Sequence, residues 1–176
     1  MPPRRSRAPV LWPSPGGRDT DFPALSQDRI VSAPGVRTTR YEVAVEFGDC
    51  DPAGIVFFPN FLRWIDAAGR HYFVSCGVPP WHVTAATHGI IGTPIVDVQA
   101  RFLKPATYGD RLAIDSCVAT WRNRSFVMQH VVRRGGDVLV EATEVRIFAK
   151  RAAGERGRIE AVTIPTFVRD ACADPR

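Results

Sequence analysis

The chain has 176 residues, 45% hydrophobic and 23% charged, which is the size and composition of one globular domain with a real core. No uninterrupted apolar run approaches the roughly 18 residues of a membrane-spanning helix. The net charge of +5 invites a nucleic-acid reading, but Arg4, Arg5, Arg7 and Arg18 supply +4 of it within an acid-free first segment, so the rest of the chain is close to neutral.

Residues 1–35 hold seven of the fifteen prolines and read as a disordered Pro/Arg-rich extension. They lack the apolar stretch of a secretory signal, and their prolines argue against an amphipathic transit helix. The folded domain is expected over 36–176. From Arg40, Tyr41, Val43, Val45 and Phe47 alternate with polar or small residues, which predicts a half-buried strand. GDCDPAG (48–54) then breaks the alternation as a turn.

A long helix is predicted over 57–77. Pro59 suits its first turn, Phe58, Phe61, Leu62, Ile65, Gly69, Tyr72 and Cys76 fall on helical spacing, and Gly77 caps it. Gly69 costs about 1 kcal/mol against alanine inside a helix, so close approach of a strand is expected there. PPWHVTAATHG (79–89) reads as a shorter helix. Alternating segments at 93–103, 111–121, 124–132 and 137–150 follow, with RRGGD (133–137) as a hairpin signal and 158–165 as a final edge strand. One long helix against four or five further antiparallel strands is an α+β architecture.

Most chemical signatures are missing. The sequence contains no GxSxG, Walker, GxGxxG or HExxH motif, no CxxC pair among Cys50, Cys76, Cys117 and Cys172, and no zinc-finger or RNP-like pattern. Neither a metal, a cofactor nor a nucleic-acid partner is expected. The four histidines, at 71, 82, 88 and 130, lie in unrelated segments and read as surface or internally satisfied residues. Scattered cysteines outside a secretory context fit a reducing, cytoplasmic compartment.

Asp51 is the exception. Asp-Pro commonly opens turns, and spacing alone favours that ordinary reading. The following helix start gives the other one. Its first N–H groups lack partners, its dipole end is positive, and a carbonyl placed there would be polarised beside a carboxylate.

The stretch EFGDCDPAGIVFFPNFLRWIDAAGRHYF (46–73) closely resembles the 4-hydroxybenzoyl-CoA thioesterases of the hotdog-fold superfamily. The likeness continues through CGVPPW (76–81), GIIGTPIVD (89–97), WRNRSFVMQH (121–130) and ATEVRIFA (142–149). The resemblance implies a hotdog fold: a long central helix wrapped by a curled antiparallel sheet of five or six strands. It also implies a homodimer with joined sheets, and a tetramer of two such dimers. The implied activity is hydrolysis of an acyl-CoA, first of all 4-hydroxybenzoyl-CoA. Another acyl group, short-chain or dihydroxynaphthoyl, and a non-catalytic acyl-CoA-binding module are the alternatives.

Residue by residue, the resemblance makes Asp51 the catalytic carboxylate and the backbone N–H of Phe58 the carbonyl-polarising donor. The family commonly carries an aromatic residue at that second position, often tyrosine. It places Asp66 near a ring hydroxyl of the substrate, Trp81 near the same pocket and Thr93 beside the active site. Arg122 and Arg124 match two basic positions of the family's Trp-Arg-Arg-Lys-Ser segment and would bind CoA phosphates, while Asn123 departs from it. On their own residues, Asp66 and Trp81 read more simply as a solvated helix acid and a core anchor.

Overall fold

The structure is a computed structural model and describes residues 36–153 and 158–173. The expected N-terminal extension lies outside the described residues. The strand from Arg40 forms as β1 (Thr38–Ala44). The alternation does not carry it to Phe47, however. Phe47–Asp49 is a single 3₁₀ turn, and Phe47 is 81% exposed, with its ring edge-on to Tyr108.

Helix α1 (Phe58–Ser75) starts at Pro59 in its first turn, as predicted. It ends in a Schellman motif: Gly77, at φ 89°, donates to the Val74 carbonyl, and Val78 donates to that of Phe73. Its buried stripe is Phe61, Trp64, Ile65, Ala68, Gly69, Tyr72 and Phe73. That stripe is wider than predicted at 64, 68 and 73 and omits Phe58, which is 56% exposed at the helix mouth. The short helix α2 (Trp81–His88) stops at Gly89, whose φ of 70° lies in the left-handed region. A third helix, α3 (Thr166–Ala171), was not predicted. It is too short to show helical periodicity.

The sheet has seven strands rather than five or six. Strands β4 (Arg111–Trp121), β5 (Ser125–Arg134) and β6 (Asp137–Arg151) form its antiparallel centre. Strand β1 pairs with β4 on one side, Thr38 opposite Cys117 and Ala44 opposite Arg111. The fifteen-residue β6 pairs with four strands: β5, β3 (Ile95–Phe102), and two short ones near its end, β2 (Ile90–Gly92) and β7 (Ile159–Val162). The unpredicted strand is β2, whose three residues are too few to alternate, while β7 falls within the predicted edge strand 158–165. The β5–β6 hairpin closes with Arg134 opposite Asp137 and Gly135 at φ 57°, so the RRGGD reading holds. Strand β3 is an edge, paired among the described strands with β6 alone, and exposes Ile95, Val96 and Val98.

Helix α1 lies across the inner face of this sheet and divides its core in two. Phe61, Trp64, Ile65 and Ala68 pack with Leu112, Ile114, Val132, Leu139 and Val140. Tyr72, Phe73 and Cys76 pack with Phe126, Met128, Phe148 and Val168. Each large apolar side chain buried this way contributes roughly 1.5–3 kcal/mol. Between the two apolar clusters the inner face turns polar, at Ser116, His130, Glu144 and Arg146, all buried.

Candidate active site

The GDCDPAG stretch folds back on itself. Cys50 bridges Val56, and Asp51 N–H donates to the Ile55 carbonyl at 2.8 Å. Its two acids do different work. Asp49 braces the loop: Oδ2 accepts from Glu46 N–H and Oδ1 from Arg63, each at 2.9 Å, and its carbonyl accepts from Phe57 N–H and the Asn60 amide. Asp51 makes the turn the ordinary reading expects, with Oδ1 accepting from Ala53 N–H at 2.8 Å. Among the described residues, its other oxygen, Oδ2, accepts no hydrogen bond. The turn role therefore uses one oxygen and leaves one for chemistry.

Helix α1 begins at Phe58, two positions beyond Val56. Its N-cap is Phe57, which supplies no side-chain acceptor, and its first turn contains no acid. An N-terminus normally attracts Ser, Thr, Asp or Asn to satisfy its N–H groups. Here the positive end is left uncompensated by the helix's own side chains, next to Asp51. A carbonyl placed at this end of the helix would be polarised by its free N–H groups.

Asp66, Trp81 and Thr93 come together. With Arg70, Ile91, Gly92, Pro94 and Arg146 they line one cavity of about 270 Å³. Asp66 is two helical turns along α1 from Phe58 and 43% exposed at its side chain. The core-anchor reading of Trp81 also holds: its ring packs on Phe73 at 5.5 Å and Phe148 at 6.2 Å. Gly92 lies against that indole, and its φ of 148° is a backbone conformation that favours glycine.

Sequence reasoning missed the residue that ties this cavity together. Arg146 on β6, 3% exposed, donates from Nη2 to Asp66 Oδ1 at 2.9 Å, from Nη1 to the Thr93 carbonyl at 3.1 Å and from Nε to Glu144 at 2.7 Å. Glu144 in turn lies 3.2 Å from His130 Nε2, and His130 Nδ1 lies 2.8 Å from the Ser116 hydroxyl. His130 is thus an internally satisfied histidine, as read from the sequence. Burial pushes the Glu144 carboxyl up, but the hydrogen bonds from His130 and Arg146 outweigh it and hold the group below its ordinary value. The only sequence signal was a Glu-x-Arg pair placing two charges on the same face of a strand.

Arg122 and Arg124 are exposed in the β4–β5 turn. Arg122 N–H donates to the Ser125 carbonyl, and Arg169 of α3 lies over the Trp121 ring at 5.7 Å. This turn sits at the C-terminal end of α1, where Trp121 meets Phe73. Asp51 sits at the other end, so the span of α1, ~25 Å, separates the two groups within one chain.

Known proteins resemble this chain in sequence and fold. Residues 45–172 match the model of the thioesterase-like superfamily. The 4-hydroxybenzoyl-CoA thioesterase of Pseudomonas sp. (strain CBS-3) is 47% identical over 142 residues, spanning 78% of this chain and 99% of that protein. A crystal structure of a 4-hydroxybenzoyl-CoA thioesterase variant complexed with 4-hydroxybenzoyl-CoA superposes with a TM-score of 0.73 at 44% identity, covering 78% of this chain and 99% of the other. A gentisyl-coenzyme A thioesterase structure matches with a TM-score of 0.65 at 30% identity over 74% of this chain and 99% of its own. With a long helix lying across an antiparallel sheet, a family match over most of the chain and these relatives, the chain belongs to the thioesterase-like superfamily and has the hotdog fold.

Proposed function

We propose that this chain hydrolyses an aryl-CoA thioester, first of all 4-hydroxybenzoyl-CoA, to the free acid and CoA. The observation that carries the reading is the free oxygen of Asp51 beside a helix N-terminus that has no cap of its own. The relatives' substrates support the choice of acyl group.

In this reading the thioester carbonyl lies at the start of α1 and accepts from Phe58 N–H. Asp51 either attacks the carbonyl carbon, giving a mixed anhydride that water then cleaves, or takes a proton from the attacking water. By both routes the C–S bond breaks, CoA leaves as a thiolate and water supplies the new oxygen of the acid. The thiolate leaves readily, so the chemistry asks for no metal or redox group. Asp66 accepts from a ring hydroxyl, Trp81 flanks the ring and Thr93 helps position the acyl group or water. Arg122 and Arg124 pair with CoA phosphates.

The same proposal makes the chain a cytoplasmic homodimer joined at β3, with a dimer of dimers beyond it. Two features support the joining: β3 is an edge with 57% of Val96 exposed, and one chain holds Asp51 and the two arginines at opposite ends of α1. Asp51→Asn tests the chemistry. It should lower kcat on 4-hydroxybenzoyl-CoA by at least ~10³ with KM within a few fold, as for loss of a nucleophile or base. Turnover within tenfold of wild type would remove Asp51 from the mechanism. A preference for short-chain or dihydroxynaphthoyl-CoA in an acyl-CoA panel would replace the substrate but not the reaction.

A further inference from the structure

The buried polar chain beneath α1 has no part in the steps above, yet it ends at the acyl cavity. It runs from Ser116 through His130 and Glu144 to Arg146, and these four residues are at most 3% exposed. Filling the inner face would not require it, since a buried ion pair can often be exchanged for apolar side chains at no loss of stability. What the chain provides is direction. The guanidinium of Arg146 is planar and offers donors on fixed axes, and here they reach three separate segments: Glu144 on its own strand, Asp66 on α1 and the Thr93 carbonyl between β2 and β3.

Asp66 needs such a partner if it is to select a substrate. Its other ion-pair partner, Arg70, lies one turn along the helix at 3.6 Å with a side chain 57% exposed. A surface pair of that kind fixes little. The 2.9 Å bond from the buried Arg146 takes Oδ1 and leaves Oδ2, which among the described residues has only the exposed Arg70 Nε at 3.6 Å, as the oxygen for a hydroxyl of the acyl group.

We propose that Arg146 is the positioning residue for acyl-group selection: held by Glu144 and His130, it sets Asp66 and Thr93 in place at the cavity, and discrimination between hydroxylated and plain aryl groups depends on it. This rests on the reading of Asp66 given above. Arg146 itself acts through Asp66.

The test is kcat/KM for 4-hydroxybenzoyl-CoA and benzoyl-CoA in wild type, Asp66→Ala, Arg146→Met and the double variant Asp66→Ala/Arg146→Met. Wild type should prefer the hydroxylated substrate by ~10-fold or more. Arg146→Met should shrink that preference at least ~5-fold, through a larger loss on the hydroxylated substrate than on benzoyl-CoA. In the Asp66→Ala background Arg146→Met should change the ratio no further. If Arg146→Met does not fold, the same measurements on Arg146→Met/Glu144→Gln, which leaves no buried carboxylate stripped of its cation, carry the test. Equal loss on both substrates, or an unchanged ratio where Asp66→Ala abolishes it, overturns the inference and leaves Asp66 standing. A wild-type ratio near one that Asp66→Ala does not alter removes Asp66 from substrate selection and the inference with it.

Discussion

The two ends of the candidate site are built in opposite ways. At the start of α1, the side-chain hydrogen bonds of the two loop acids join residues close in sequence, Asp51 to Ala53 and Asp49 to Glu46 and Arg63, and only the backbone of Gly54 and Val56 reaches farther, to Thr107 and Ala106. The acyl cavity two turns along the helix is held by contacts spanning 53 and 80 positions, from Arg146 to Thr93 and Asp66. One end is a local turn near the surface, and the other is the tip of a buried charge chain. A reactive carboxylate needs access and one unengaged oxygen, which a turn can supply. Selecting a hydroxyl needs an acceptor that does not wander, which only the packed interior can supply.

Three variants probe this contrast, in order of expected effect. Asp49→Ala removes the brace of the loop while leaving Asp51 in the sequence. It should lower kcat about 30-fold or more, because small misplacements of a catalytic group are costly, with little change in the ratio between hydroxylated and plain substrates. A shift in that ratio would show that the two ends are coupled. Glu144→Gln addresses the interior end. Since the folded protein holds this carboxyl below its ordinary value of 4.5, its contribution to stability is present above that pH and is lost as the pH falls through the folded value. Urea midpoints measured from neutral pH downward should therefore fall less steeply below pH 4.5 for the variant than for wild type. Parallel curves would mean that the buried chain contributes no pH-dependent stability. Gly69→Ala is the mildest. A methyl there would meet Met128 Sδ at 3.5 Å and Arg146 Nη2 at 3.6 Å, ordinary contact distances. Thermal unfolding should show a gain of up to about 1 kcal/mol from helix propensity, with selectivity unchanged. A marked loss would mean that the helix and Arg146 lie closer than those distances allow.

The same contrast decides what could be read from the chain alone. Helix α1, its Pro59 start and its Gly77 stop and the RRGGD hairpin are local signals that the structure carries, while the strand alternation holds along β1 but fails at Phe47 and in the exposed edge β3. The Asp51 turn was legible for the same reason. The strand count came out low because β2, of three residues, is too short to alternate visibly. Arg146 and Glu144 were passed over because a charged pair in a strand ordinarily faces water. Only the register that sets β6 beneath α1 turns that face inward. Gly69 gave half of its meaning: it does sit against β5 and β6, but with room to spare.

Strand β6 carries a consequence of its own. It pairs with β3 and β5 along most of its length and with β2 and β7 near its end, so its centre cannot be exposed without separating most of the sheet. Amide exchange along Ala142–Phe148 should then proceed only through near-global opening, while the 48–57 loop, which lies outside the sheet and is tied to the rest mainly by short-range bonds and two hydrogen bonds to Ala106 and Thr107, can open at lower cost. The molecule thereby keeps its selectivity in its least mobile strand and its reactive acid in a segment free to breathe, so that fluctuations which admit and release a bulky thioester need not disturb the geometry that chooses it.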